Sequence, residues 1–285
     1  MHFKSVQDSY VLSNGVKIPC IGFGTWRLDN SLETVSVLKD AIDCGYRHID
    51  TASGYGNEEA VGKAVIESGI SRKDFFITTK LHNPDHGYDN TIEAFNRSLE
   101  NLQMDYVDLY LIHWPNPLCF RGSWKKKNAE TWKAFEEFYG QGKIRALGIS
   151  NFMPHHIEAL MESVKVHPTV NQIFLCPGVI QEHTVSYSRK YNMLTVAYSP
   201  LGSGKSLNHP FLQDLCSKYD KTPAQICMRW SLQMGYLPIP KSSNYVRMKE
   251  NIDVFNFSLQ EEDVTRLCYL KDFSEEAKNP DTVDF

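Results

Sequence analysis

The chain has little surplus charge and no long hydrophobic run. Its 30 Lys and Arg stand against 34 Asp and Glu, for a net charge of −4 and a pI near 6.2. That balance lacks the basic footprint of a nucleic-acid binder. No polybasic run lies beside an amphipathic stretch, which argues against a membrane-surface partner. No stretch reaches the roughly 20 apolar residues of a bilayer span. The opening residues, MHFKSVQDSYVLSNG, contain no apolar core of secretory type. CxxC pairs are absent, and the seven cysteines are odd in number and irregularly spaced. Reduced thiols in a cytoplasmic protein are therefore expected. The ten histidines include no HxH or HExxH, which excludes the common zinc-hydrolase patterns, and no metal is expected. No GxGxxG follows the first strand, which disfavours a Rossmann dinucleotide site. Linkers, low-complexity tracts and composition shifts are also missing, so one domain over residues 1–285 is expected.

What is present is a globular composition, 42% hydrophobic and 22% charged. Tyr10 to Ile18 alternates around Asn14-Gly15, the strongest short hairpin signal. Eight short apolar runs follow: Ile18–Gly24, His48–Asp50, Phe75–Thr79, Val107–Ile112, Ala146–Ile149, Thr169–Asn171, Leu194–Ala197 and Leu237–Ile239. Between them lie segments of helical period, namely Leu32–Cys44, Glu58–Ser68, Asn90–Leu102, Ala129–Tyr139, Pro154–Ser163, Thr184–Tyr191 and Pro223–Met234. Thr222-Pro223 reads as an N-cap followed by proline in the first turn. Alternating strands and helices imply a parallel sheet. Eight units with no second region point to an α/β fold, a single (β/α)8 TIM barrel with the N-terminal β-hairpin at its bottom.

In such a barrel, the strands' carboxyl ends carry the chemistry. Asp50 ends the second run, and Tyr55 follows five residues on. Lys80 follows the third run and His113 the fourth. Ser150 and Asn151 follow the fifth, Gln172 the sixth, Tyr198 and Ser199 the seventh, and Lys241 and Ser242 the eighth. An ammonium at Lys80 is expected to lower the Tyr55 phenol from its usual pKa of about 10. Asp50 would keep Lys80 charged, Tyr55 could donate a proton near neutral pH, and a neutral His113 could polarise a carbonyl. Each residue alone has a plainer reading: Asp50 as a turn former, Tyr55 as a packed aromatic, Lys80 as a surface lysine, His113 as a core histidine. Four such groups after successive strands favour the chemical reading.

Gly45-Tyr-Arg-His-Ile-Asp50-Thr-Ala-Ser-Gly-Tyr55-Gly-Asn-Glu58 resembles the signature of the aldo-keto reductases, as do Ile77-Thr-Thr-Lys80, Tyr110-Leu-Ile-His113-Trp-Pro115, Gly148-Ile-Ser-Asn-Phe152, Ala197-Tyr-Ser-Pro-Leu-Gly202 and Ile239-Pro-Lys-Ser242. The resemblance runs from about Leu12 to Leu267 and points to the branch like bacterial 2,5-diketo-D-gluconate reductase. It implies that Asp50, Tyr55, Lys80 and His113 are the catalytic tetrad. It implies NADPH/NADP+ as cofactor, bound by Gly24, Thr25, Trp26, Asp50, Ser150, Asn151, Gln172, Tyr198, Ser199, Leu201, Lys241, Ser242, Arg247, Glu250 and Asn251. Two cations and a hydroxyl among Lys241, Ser242 and Arg247 suit a 2′-phosphate, Arg being able to bind it bidentately. The implied activity is reduction of an aldehyde or ketone by hydride transfer, in a monomer.

Phe174 and Cys176 depart from the family pattern, which often has Glu and His there. The stretch Gly202–Pro210 is short, so a weak clamp on the cofactor is expected. Trp26, Tyr55, His113 and Trp114 are the expected substrate contacts. Phe120, Trp124 and Phe285 are further candidates, although Phe120 and Trp124 could equally only pack their loop. Lys125–Lys127 reads as a solvated loop and Glu275–Phe285 as a mobile tail. Two rivals remain: a regulatory subunit of the same fold with slow turnover, and Schiff-base chemistry at Lys80.

Overall fold

The computed structural model describes residues 3–204 and 207–285. The chain opens with the expected hairpin, β1 (Ser9–Val11) antiparallel to β2 (Lys17–Pro19), with Tyr10 opposite Ile18. Gly15 takes φ 84°, the left-handed region that its missing Cβ makes accessible. The Tyr10 hydroxyl donates to Tyr236 O at 3.0 Å and Asn14 Nδ2 to Arg145 O at 3.0 Å. Both acceptors lie near the amino ends of barrel strands, so the hairpin floors the barrel.

Strands and helices then alternate: β3 (Phe23–Gly24), α1 (Leu32–Cys44), β4 (His48–Asp50), α2 (Glu58–Glu67), β5 (Phe76–Leu81), α3 (Tyr88–Leu102), β6 (Val107–Ile112), α4 (Trp124–Gly140), β7 (Ile144–Ser150), α5 (Pro154–Met161), β8 (Val170–Phe174), α6 (Glu182–Lys190) and β9 (Leu194–Tyr198). They are followed by α7 (Pro210–Tyr219), α8 (Pro223–Gln233), β10 (Leu237–Ile239), α9 (Tyr245–Ile252) and α10 (Glu261–Cys268). Strands β3 to β10 pair in sequence order, all parallel. Every residue of β5 and β6 is buried, as strands covered on both faces must be. Helix ends follow local chemistry. Ser31 caps α1 by accepting from Thr34 N–H, and Gly45 ends it at φ 110°. Thr222 and Gln225 form a reciprocal capping box on α8, with Pro223 in its first turn.

The barrel closes where β3 meets β10. Gly22 N–H donates to Pro238 O at 3.0 Å and Gly24 N–H to Pro240 O at 3.0 Å. The return bonds of a parallel ladder would come from Pro238 and Pro240, which have no N–H. The seam is therefore bonded in one direction only. It also leaves no room for side chains on its glycines. A Cβ on Gly22 would lie 2.5 Å from His48 Nδ1, and one on Gly24 would lie 3.0 Å from Ile239 O.

Three expectations need correction. The run Ile18–Gly24 is not one strand: Ile18 sits in β2 and only Phe23–Gly24 joins the barrel. Lys125–Lys127 is not a loop but the first turn of α4, where Lys127 pairs with Glu130 at 3.2 Å. The segment Glu275–Phe285 is tied to the barrel through Asp281, Val283 and Phe285. All seven cysteines are free thiols.

Gly22→Ala is expected to cost about 1–3 kcal/mol by overpacking the seam. Denaturant unfolding checks this, and an unchanged midpoint would show that the seam yields easily.

Candidate active site

The carboxyl ends of β4, β5 and β8 bring three polar side chains together in the barrel. Lys80, on β5, is fully buried, and Asp50, at the end of β4, is 2% exposed. Lys80 Nζ donates to Asp50 Oδ1 at 2.5 Å, to Thr51 O at 2.8 Å and to the Tyr55 hydroxyl at 3.4 Å. The other carboxylate oxygen of Asp50 accepts from Gln172 Nε2, on β8, at 2.7 Å. A buried ion pair survives only when its remaining protons and lone pairs find partners, as they do here.

Tyr55 stands on a 3₁₀ turn, Ser53–Tyr55, directly after β4. Ser53 Oγ donates to Lys80 O at 2.9 Å, fastening that turn to β5. Asn57 holds its far side, accepting from Thr51 Oγ1 at 2.6 Å and donating to Thr25 O and Leu28 O. The His113 ring, just past β6, meets the Tyr55 ring edge-on, with centroids 5.6 Å apart.

The network continues through the next strands. Ser150 Oγ donates to Gln172 O at 2.8 Å. Asn151 sits in the left-handed region at φ 61° and donates to His113 O at 3.0 Å and to Ser150 Oγ at 3.1 Å. The Tyr198 hydroxyl donates to Asn151 Oδ1 at 2.9 Å. Hydrogen bonds thus link Lys80, Asp50, Gln172, Ser150, Asn151 and Tyr198, from β5 to β9. Phe174 packs edge-on to Tyr198 with centroids 5.7 Å apart.

The electrostatics differ from expectation at one point. Burial raises the Tyr55 pKa above its ordinary value, and the nearby Lys80 ammonium only partly offsets this. The sequence reading had Lys80 win; loss of water around the phenol outweighs it. Burial works against the Lys80 ammonium too, yet Asp50 and Tyr55 together lift its pKa above that of an ordinary lysine. Burial pushes Asp50 up, while Lys80 and Gln172 pull the other way. Burial, with help from Lys80, His82 and His86, holds His113 well below the usual imidazole range. At neutral pH the site presents a protonated phenol and a neutral imidazole.

The other expected residues form two further groups. Gly24 and Thr25 lie buried where β3 ends, with Thr25 bonded to Asp50 O, while Trp26 turns outward beneath the Arg27 guanidinium, 4.3 Å from its ring centroid. Lys241, Ser242, Arg247, Glu250 and Asn251 gather at the end of β10 and along α9. Asn244 caps that helix by accepting from Arg247 N–H. Among the described residues, no hydrogen bond or ion pair engages the side chains of Lys241 and Arg247, both exposed. Ser199, at φ 50°, and Leu201 shape the turn after β9. Residues 205 and 206 of the short stretch Gly202–Pro210 lie outside the described residues.

Aromatic side chains wall the mouth. Trp114 meets Phe285 edge-on with centroids 5.1 Å apart. Phe120 stacks on His86 and Trp124 packs edge-on against His156, so both pack against the barrel. The sequence reading missed Asn57 and the backbone oxygen of Thr51. It also missed the His155, His156 and Asp281 cluster; the adjacent histidines were its only local signal.

Lys80→Met should cost about 3–5 kcal/mol, because Asp50 would be left buried without its cation. Burial would then hold the Asp50 pKa above its unfolded value. Protonation relieves the penalty at low pH, so the deficit grows as pH rises. Denaturant midpoints at about pH 5 and 8 test this; equal deficits would contradict it.

The geometry has counterparts in known proteins. The sequence profile of the aldo/keto reductase family matches residues 20–271. Glyoxal reductase of Bacillus subtilis is 42% identical over 281 residues, covering 99% of each chain. The 9,11-endoperoxide prostaglandin H2 reductase of Trypanosoma cruzi is 42% identical over 273 residues, covering 95% of this chain and 94% of that protein. A mutant of Gox0644, solved in complex with NADPH, superposes with a TM-score of 0.89 at 38% identity, covering 98% of this chain and 99% of that one. With the profile spanning most of its length and relatives this similar end to end, the chain belongs to the aldo/keto reductase family.

Proposed function

We propose that the chain, a single domain over residues 1–285 acting as a cytoplasmic monomer, reduces aldehydes or ketones to alcohols with NADPH. The observation that carries this reading is the Tyr55 hydroxyl, 3.4 Å from a buried ammonium that Asp50 holds, beside a neutral His113. Among the described residues, no helix is long and apolar enough to cross a membrane.

The residues present suit the cofactor. Among the described residues, Lys241 and Arg247 are two exposed cations without protein partners, which suits a 2′-phosphate. Ser150, Asn151 and Gln172 set hydroxyl and amide groups in one hydrogen-bonded row that ends at the aromatic Tyr198. When bound, NADPH supplies the hydride that reaches the carbonyl carbon. The protein's own part is to hold the carbonyl oxygen and deliver a proton. Neutral His113 orients and polarises that oxygen through a hydrogen bond. Tyr55, kept protonated by burial, gives its proton to the oxygen as negative charge develops there. Lys80 then stabilises the phenolate left behind. The same Asp50 contact keeps Lys80 protonated, which speaks against Schiff-base attack. The aromatic mouth and the glyoxal reductase relative favour small carbonyls, including dicarbonyls.

An NADPH-oxidation screen across carbonyl classes tests the reading. Tyr55→Phe is expected to lower turnover by about 10²–10⁴ with cofactor affinity nearly unchanged. Equal loss of cofactor binding would show that the role is misassigned, and cofactor binding without turnover by the wild type would favour a regulatory subunit. Arg247→Ala should weaken NADPH far more than NADH in fluorescence titrations. Equal weakening would remove the phosphate assignment.

A further inference from the structure

A side-chain anchor of the segment after α10 is the Asp281 carboxylate. Asp281 Oδ1 accepts from Asn116 Nδ2 at 2.8 Å and contacts His156 Nε2 at 2.9 Å, while its Oδ2 lies 3.1 Å from His155 Nε2. The two histidines are neighbours in the first turn of α5, with ring centroids 3.8 Å apart. Trp124, at the start of α4, packs edge-on to His156 with centroids 4.8 Å apart. Beyond Asp281, the Arg121 guanidinium donates to Val283 O and Leu118 N–H to Phe285 O at 2.9 Å. Before it, Ala277, Lys278 and Pro280 border a small cavity with Asn151, Phe174 and Tyr198. The segment thus runs as a strap from Tyr198 to Trp114.

Two imidazoles and a carboxylate so close together invite a metal ion, but the protons argue otherwise. His156 Nδ1 accepts from Met153 N–H at 3.2 Å. Burial pushes the His156 pKa down to about 4, so near neutral pH its ring holds one proton. That proton is assigned to Nε2, where it bonds Asp281. A metal on Nε2 would force the proton onto Nδ1, against the Met153 N–H that helps cap α5. The cluster is built for hydrogen bonds.

We propose that Asp281 is a positioning residue: clasped by His155, His156 and Asn116, it fixes the strap that seats Phe285 on Trp114 and thereby limits the size of carbonyl admitted. The size limit rests on the reductase reading, whereas the clasp stands without it.

Asp281→Ala is expected to raise kcat/KM for 9,10-phenanthrenequinone relative to glyoxal about tenfold, through KM, with Asp281→Asn restoring part of the wild-type ratio. Equal changes for both substrates, or none, would overturn the size limit. Trypsin cleavage after Lys278, whose ammonium lies over the Phe285 ring at 4.9 Å, reads the clasp without turnover. It should be about tenfold faster in Asp281→Ala, and equal rates would overturn the clasp. Zinc that raises the wild-type melting temperature, but not that of Asp281→Ala, would replace the clasp with a metal site. If the wild type reduces no carbonyl, the reductase reading and the size limit fall together, while the trypsin result still decides the clasp.

Discussion

The structure around the barrel mouth depends on keeping one ammonium charged where there is no water. Stripping water from Lys80 and Asp50 opposes both charges, and their mutual attraction offsets this only with tight geometry. The surroundings supply that geometry. Thr51 O takes a second ammonium proton, Tyr55 receives a third contact, and Gln172 satisfies the carboxylate oxygen that Lys80 does not use. The pair and its partners come from β4 and the turn after it, from β5 and from β8. The pair is therefore a cross-brace of the barrel as well as a source of charge, and its place fixes where any chemistry can occur.

Tyr55 is held at that place from two sides. Ser53 fastens its turn to β5 and Asn57 fastens it to the loop after β3. That loop leaves the glycine seam with β10, where Gly24 lies beside Pro240 and Lys241 follows. The seam therefore lies between the Asp50–Lys80–Tyr55 cluster and the cations Lys241 and Arg247. A one-way seam made of glycines and prolines allows the closest approach of two strands, and a larger residue there would push these two groups apart.

Much of this could be read from sequence because barrel strands advertise themselves. β5 and β6 are buried on both faces, so they read as mainly apolar runs without strict alternation, and the ionisable Lys80 and His113 fall near or just past their ends. The run Ile18–Gly24 reads as one strand because its apolar residues serve two sheets and no charged residue interrupts it; Pro19 and Gly22 are the local marks of the change from β2 to β3. Helices α7, α9 and α10 are only 8 to 10 residues long, and two or three residues of each are buried, so each offers little more than two turns of pattern to read. Asp281 looked like part of a polar tail because its partners, Asn116, His155 and His156, lie more than a hundred residues away. The direction of the Tyr55 shift was unreadable for a related reason. Spacing tells which charges meet, but the amount of water removed depends on the packed mouth.

That last difference bears on how such a site could work. A phenol acidified by Lys80 in the resting protein would be partly ionised and would have less proton to give. A phenol raised by burial stays protonated, and the ammonium at 3.4 Å acts most strongly once the proton has left and charge appears on the oxygen. Burial and Lys80 thus act on different states of the same group. In the proposed reaction, burial would protect the donor before transfer, and the ion pair would steady its product afterwards. This division requires Lys80 to remain charged throughout, which depends on Asp50: in the proposed reaction the carboxylate would not need to touch the substrate to govern whether Tyr55 gives up its proton.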